Sequence, residues 1–172
     1  MKRFFGAFMA FWMLGCASQE TFTLWQLESQ VDTIGNSYVI RTAGGKLIVM
    51  DGGMAVEKDY LRGFIDALGG EVSAWIVSHP HDDHISALVA LLENPNGLKI
   101  EKIYHSRFTE ELIVSESDEA AAITRKFYSL LDNAMDIEVV DCHCGDEFEI
   151  EILIYTVSTS SFPPQPIALG RV

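Results

Sequence analysis

With 172 residues, the chain is long enough for one domain with a real core and hardly enough for two. A hydrophobic content of 48 % excludes a disordered chain. The formal net charge of -13 opposes non-specific binding to nucleic acid or anionic lipid, so long nucleic acid is not an expected partner.

Lys2 and Arg3 precede an apolar run, Phe4–Leu14, that ends in Gly15-Cys16. The run is shorter than the roughly 20 residues a membrane-spanning helix needs. Residues 1–16 therefore read as an export signal; the other reading is a buried first element. Met13-Leu14-Gly15-Cys16 resembles a bacterial lipobox, although Met13 stands where leucine is usual. That resemblance implies a lipid on Cys16 and a membrane as partner, in the cell envelope. Ordinary cleavage, giving a secreted or periplasmic chain, is the alternative.

Residues 17–157 read as one domain. Phe22–Ser29, Asn36–Thr42 and Lys46–Asp51 are predicted strands, the last two joined by a tight turn at Ala43–Gly45. From Ala55 to Leu68 the period changes: Leu61, Phe64, Ile65 and Leu68 share one face of a helix, and Gly69-Gly70 stops it. Ala74–Ser78 is a short apolar run of the kind buried on both faces of a sheet. A helix follows over Asp83–Glu93, ended by Asn94-Pro95-Asn96-Gly97. Lys99–Ser106 is a strand, and Ser117–Ala134 is a helix capped by Ser117. Asp136–Cys142 and Asp146–Val157 are the last strands. Strands alternate with helices, so the class is α/β. Residues 158–172 have no periodicity and read as an irregular tail.

The chemistry concentrates in His79-Pro80-His81-Asp82-Asp83-His84, which holds three of the five histidines. His79 and His81 are two apart, so in an extended segment both imidazoles face one side and can reach one ion. Asp83 and His84 follow as the chain turns into a helix and can reach a second point nearby. Imidazole and carboxylate suit zinc, and two neighbouring ions can acidify a water and polarise a substrate oxygen. The bland alternative is a helix cap made by Asp82 or Asp83. Cys142 and Cys144 flank His143 at a spacing poor for a disulfide; they read as packing or rim residues, with a metal role as the lesser reading.

His-x-His-x-Asp-His after an apolar strand resembles the signature motif of the metallo-β-lactamase superfamily, with His79, His81, Asp83 and His84 at its positions. Asn36–Gly53 is similar to that family's opening hairpin and its Asp-Gly pair, and His84–Glu93 to the helix after the motif. The wording of Ser78–Leu88 looks most like the ComEC-like branch. The resemblance implies an αββα sandwich and a zinc-dependent hydrolase whose metal-bound hydroxide attacks an ester-like bond. A small ester or phosphodiester is the implied substrate. It also implies that His79 and His81 hold a first zinc, and Asp83 and His84 a second. Asp83 would in addition act catalytically, by holding the attacking hydroxide or accepting its proton. Asp51 would orient the ligand loop from behind, or else only cap a turn.

Only the first half of such a sandwich and part of its second sheet are expected from the pattern. After His84 the remaining histidines are His105 and His143, neither in the family's local context. The expectation is therefore a truncated chain, with an open sheet edge and an uncovered apolar face. A catalytically inactive metal-binding lipoprotein, or a partner-binding module, is the alternative to the hydrolase.

Overall fold

The computed structural model describes residues 21–157, except Thr33 and Ile152. The export signal with Cys16 and the tail 158–172 lie outside the described residues.

β1 (Thr23–Gln26), β2 (Ser37–Arg41) and β3 (Leu47–Asp51) form an antiparallel meander. Its second turn places Gly45 at φ 90, and the Gly45 N–H donates to the Thr42 carbonyl at 3.0 Å. A 3-10 turn, Ala55–Glu57, leads into α1 (Lys58–Ala67), which buries Leu61 and Ile65. Gly70, at φ 75, closes that helix by donating its N–H to the Ile65 carbonyl. After β4 (Glu71–Val72), β5 (Ala74–Ile76) returns parallel to β3. Then come α2 (Asp82–Glu93), β6 (Lys99–Ile100), β7 (Lys102–His105), α3 (Glu110–Ser115), α4 (Asp118–Asp132) and β8 (Glu138–Asp141). The main sheet runs β1-β2-β3-β5-β7-β8, with β3, β5, β7 and β8 parallel. β9 (Glu147–Ile150) and β10 (Leu153–Thr156) form a separate antiparallel hairpin.

Alternation along the strands sorts side chains between two apolar clusters. Val49, Trp75, Val77 and Ile103 face the helices, where they meet Leu61, Ile65, Ile85, Leu88 and Phe127. Ile48, Ala74, Ile76 and Tyr104 face the other way and meet Ile150 and Phe148 of the hairpin. Tyr104 and Phe148 stack with centroids 3.8 Å apart. The hairpin is the start of a second sheet layer, giving helices, sheet and sheet in order.

Three sequence expectations change. Lys99–Ser106 is not one strand: β6 pairs with β4, while β7 joins the main sheet. Glu101 marks the switch, because its N–H goes to Val72 and its carbonyl accepts from Glu138. Asp146–Val157 folds back on itself at Glu151, whose φ is 56. The second face of the sheet is also not bare, since Ile48 and Ala74 are fully buried beneath that hairpin layer. Among the described residues, no helix is long and apolar enough to cross a membrane.

Candidate metal centre

The parallel strands deliver the site to one end of the sheet, at the carboxyl ends of the central strands β3 and β5. β3 ends in Asp51, β5 leads into Ser78, and the chain then runs through His79 and Pro80 to the start of α2. His81 is the residue before that helix, with extended backbone (φ -77, ψ 155), and its carbonyl accepts from the N–H groups of His84 and Ile85. Asp82 and Asp83 occupy the first turn, where the helix dipole favours negative charge. The loop is clamped from below, since the buried Thr124 hydroxyl on α4 donates to the Pro80 carbonyl at 3.0 Å.

Asp51 is buried and organises the loop. One oxygen accepts from the Ser78 N–H at 2.8 Å; the other accepts from the Ser78 hydroxyl at 2.8 Å and lies 2.9 Å from His84 Nδ1. A carboxylate at Nδ1 holds the proton there and leaves the Nε2 lone pair for another partner. His84 Nε2 lies 3.4 Å from Asp83 Oδ2. With metal–ligand bonds of about 2.0–2.2 Å, the edge of a zinc tetrahedron is about 3.4 Å, so this pair has the spacing of two ligands on one ion.

The other two histidines join them. The His79 ring is 3.9 Å from that of His84 and 4.6 Å from that of His81, centroid to centroid. His79 Nδ1 is 3.0 Å from the Ser78 hydroxyl. His81 Nε2 faces the Glu116 carboxylate at 3.2 Å, and its ring edge meets Phe108. The two rings bounding the cluster differ in basicity. The hydrogen bond to Asp51 raises the pKa of His84 above the usual histidine value. Burial lowers that of His79, helped by the charges on His84 and His81.

All four motif residues and Asp51 are thus brought together. His105 is not among them: it is buried against Phe127 and Tyr128. His143 is exposed and faces Asp146. Cys142 and Cys144 are free thiols. Ser78 and Glu116 are missing from the sequence reading. Ser78 lies beside the motif, but a serine there carries no signal of its own, and Glu116 is a carboxylate distant in sequence. The donors fit zinc in kind and in pair spacing. In number they stop at pairs: among the described residues, no three His, Cys, Asp or Glu side chains are placed to hold one ion.

A sequence profile of the metallo-beta-lactamase superfamily matches residues 31–161. The chain belongs to the metallo-beta-lactamase superfamily. No curated protein matches it. Among solved structures it is similar to a Thermotoga maritima metallo-beta-lactamase-type protein, at 17 % identity and TM-score 0.51, over 74 % of this chain and 62 % of that one. It is also similar to a Cronobacter sakazakii metallo-beta-lactamase with a HARLDQ motif, at 16 % identity and TM-score 0.45, over 74 % of this chain and 46 % of that one. A third is the subclass B3 enzyme BJP-1 of Bradyrhizobium japonicum, at 17 % identity and TM-score 0.47, over 72 % and 44 %. The chain spans less than two thirds of each of these superfamily structures.

Proposed function

We propose that the chain is a zinc-dependent hydrolase that cleaves an ester-like bond, a phosphodiester if the ComEC-like wording of Ser78–Leu88 carries over. The observation behind this reading is the line Asp51–His84–Asp83, with spacings of 2.9 and 3.4 Å. His79 and His81 would hold one ion, and Asp83 and His84 the other. Bound zinc lowers the pKa of water and polarises a substrate oxygen. The remaining work belongs to the protein. Asp51 fixes the tautomer of His84 and the backbone of Ser78, so both ends of the ligand loop are oriented before substrate arrives. Asp83, at the helix start, has a carboxylate oxygen able to hold or accept a proton from water. The substrate is small, since the acidic chain repels long polyanions. We place the protein in the cell envelope, exported and anchored by a lipid on Cys16.

A second reading has its own support. Donors that stop at pairs fit a metal-binding module that turns nothing over. Counting zinc in the purified protein, beside a His79→Ala, His81→Ala double variant, separates the two. About two zinc ions per chain in the parent, clearly fewer in the variant, and turnover of an ester or phosphodiester panel are expected of the hydrolase. Bound zinc without turnover supports the module. A folded parent without zinc overturns both.

A further inference from the structure

Glu57 lies outside the histidine cluster, yet its carboxylate is buried and held by three donors. The residue is only 6 % exposed. Buried glutamates are rare unless their oxygens are satisfied. Here the described partners are neutral donors: the Ser29 hydroxyl at 2.7 Å and the Gln30 N–H at 3.2 Å on one oxygen, the Met54 N–H at 2.9 Å on the other. Two glycines press on the carboxylate. A Cβ at Gly35 or at Gly53 would fall on Oε2, and Gly53 also sits at φ 80. Three separate segments therefore converge on one side chain: the loop after β1, the approach to β2 and the turn after β3.

Two of those segments touch α2. The Gly53 carbonyl accepts from the Ala87 N–H at 3.1 Å, and the Asn36 N–H donates to the Asp83 carbonyl at 3.4 Å. The same turn begins at Asp51, a non-glycine residue at φ 56. Such a conformation persists only where its surroundings fix it. We propose that Glu57 is a positioning residue: it sets the Asp51–Met54 turn and the Asn36 segment against the start of α2, and thereby the Asp51–His84 hydrogen bond. The inference rests on the hydrolase reading for its functional meaning, and on the geometry alone for its structural content. A carboxylate is needed because three donors meet two oxygens; a glutamine amide would set N–H groups against N–H groups.

The test uses Glu57→Gln, Glu57→Ala and Ser29→Ala in the full chain. Three quantities are read: Zn2+ affinity by chelator competition, amide hydrogen exchange by residue, and the ring-nitrogen NMR signals of His84. In Glu57→Ala, zinc binding weakens about tenfold or more, as for residues that orient metal ligands. The Asn36 and Ala87 amides exchange about tenfold faster while Val49 and Ile103 keep their protection. The His84 ring loses its single-tautomer signature. Glu57→Gln shows the same pattern at smaller size, and Ser29→Ala a trace of it. Unchanged Asn36, Ala87 and His84 signals would overturn the proposal, and so would equal acceleration throughout the chain. If Glu57→Ala does not fold, Glu57→Gln decides by the same readings. A parent that binds no zinc overturns the hydrolase reading, while the exchange and ring signals still decide on Glu57.

Discussion

Asp51 combines a left-handed backbone with three acceptor contacts. Asparagine tolerates that backbone about as well as aspartate. Asp51→Asn therefore isolates the side-chain chemistry. The amide oxygen can still serve the Ser78 N–H, but the NH2 then faces His84 Nδ1 and requires a lone pair there. The ring proton moves to Nε2, the atom 3.4 Å from Asp83. Zinc affinity should fall about 10- to 100-fold, with the tautomer change visible in ring-nitrogen NMR; an unchanged dissociation constant would contradict the assigned role. His105 poses a different problem at the same scale. It is 1 % exposed, and neither ring nitrogen has a hydrogen-bond partner among the described residues. Burial lowers its pKa, and nearby Arg107 acts in the same direction, while Asp141 and Asp132 oppose. In the unfolded chain a histidine takes its proton near pH 6.5, so below that pH the unfolded state binds more protons than the folded one. Stability from a neutral His105 is thus present above about pH 6.5 and lost as the pH falls below it. Denaturant melts at about pH 7.5 and about pH 5.5 should show the parent losing more stability than His105→Leu; equal losses would mean that the ring does not set the slope.

At the scale of elements, what could be read from the sequence was what depends on neighbours along the chain. Of the α2 face that the helical period predicts, Ile85, Leu88 and Val89 are buried and Leu92 is partly buried, and the Ser117 hydroxyl caps α4 by accepting from the Ala120 N–H. The apolar run before the motif is a fully buried strand. The errors arise where a partner distant in sequence decides. Glu101 divides a continuous pattern because Val72 and Glu138 claim its backbone groups. Glu151 turns the chain with no glycine or proline to announce it; its carboxylate instead meets the Gly44 N–H at 3.3 Å. α3 escaped notice because six residues carry too little periodicity, its one local sign being Thr109 accepting from the Leu112 N–H. The site divides in the same way. Its four motif residues were legible because they lie within six positions. Glu116 and Glu57 were not, because only the folded chain brings Glu116 to His81 and Glu57 to Ser29 and Gln30.

For the molecule as a whole, the decisive fact is that the motif side chains are not part of the buried interior. His79, His81, Asp83 and His84 all stay partly exposed, while Trp75, Leu88, Ile103 and Phe127 on the helix side and Ile48 and Tyr104 on the hairpin side are buried. Each fully buried large apolar side chain contributes about 1.5–3 kcal/mol, so the cores can hold the fold without a metal. A zinc finger, whose binding energy is its folding energy, behaves in the opposite way. Chelation of this protein should therefore leave its far-UV circular dichroism and a cooperative thermal transition in place. Zinc added back at 100 times its dissociation constant should stabilise by about 2.7 kcal/mol, raising the midpoint by on the order of 10 °C. Collapse on chelation would make the metal part of the structure, and the half-exposed His81 edge a misleading guide to where the folding energy resides.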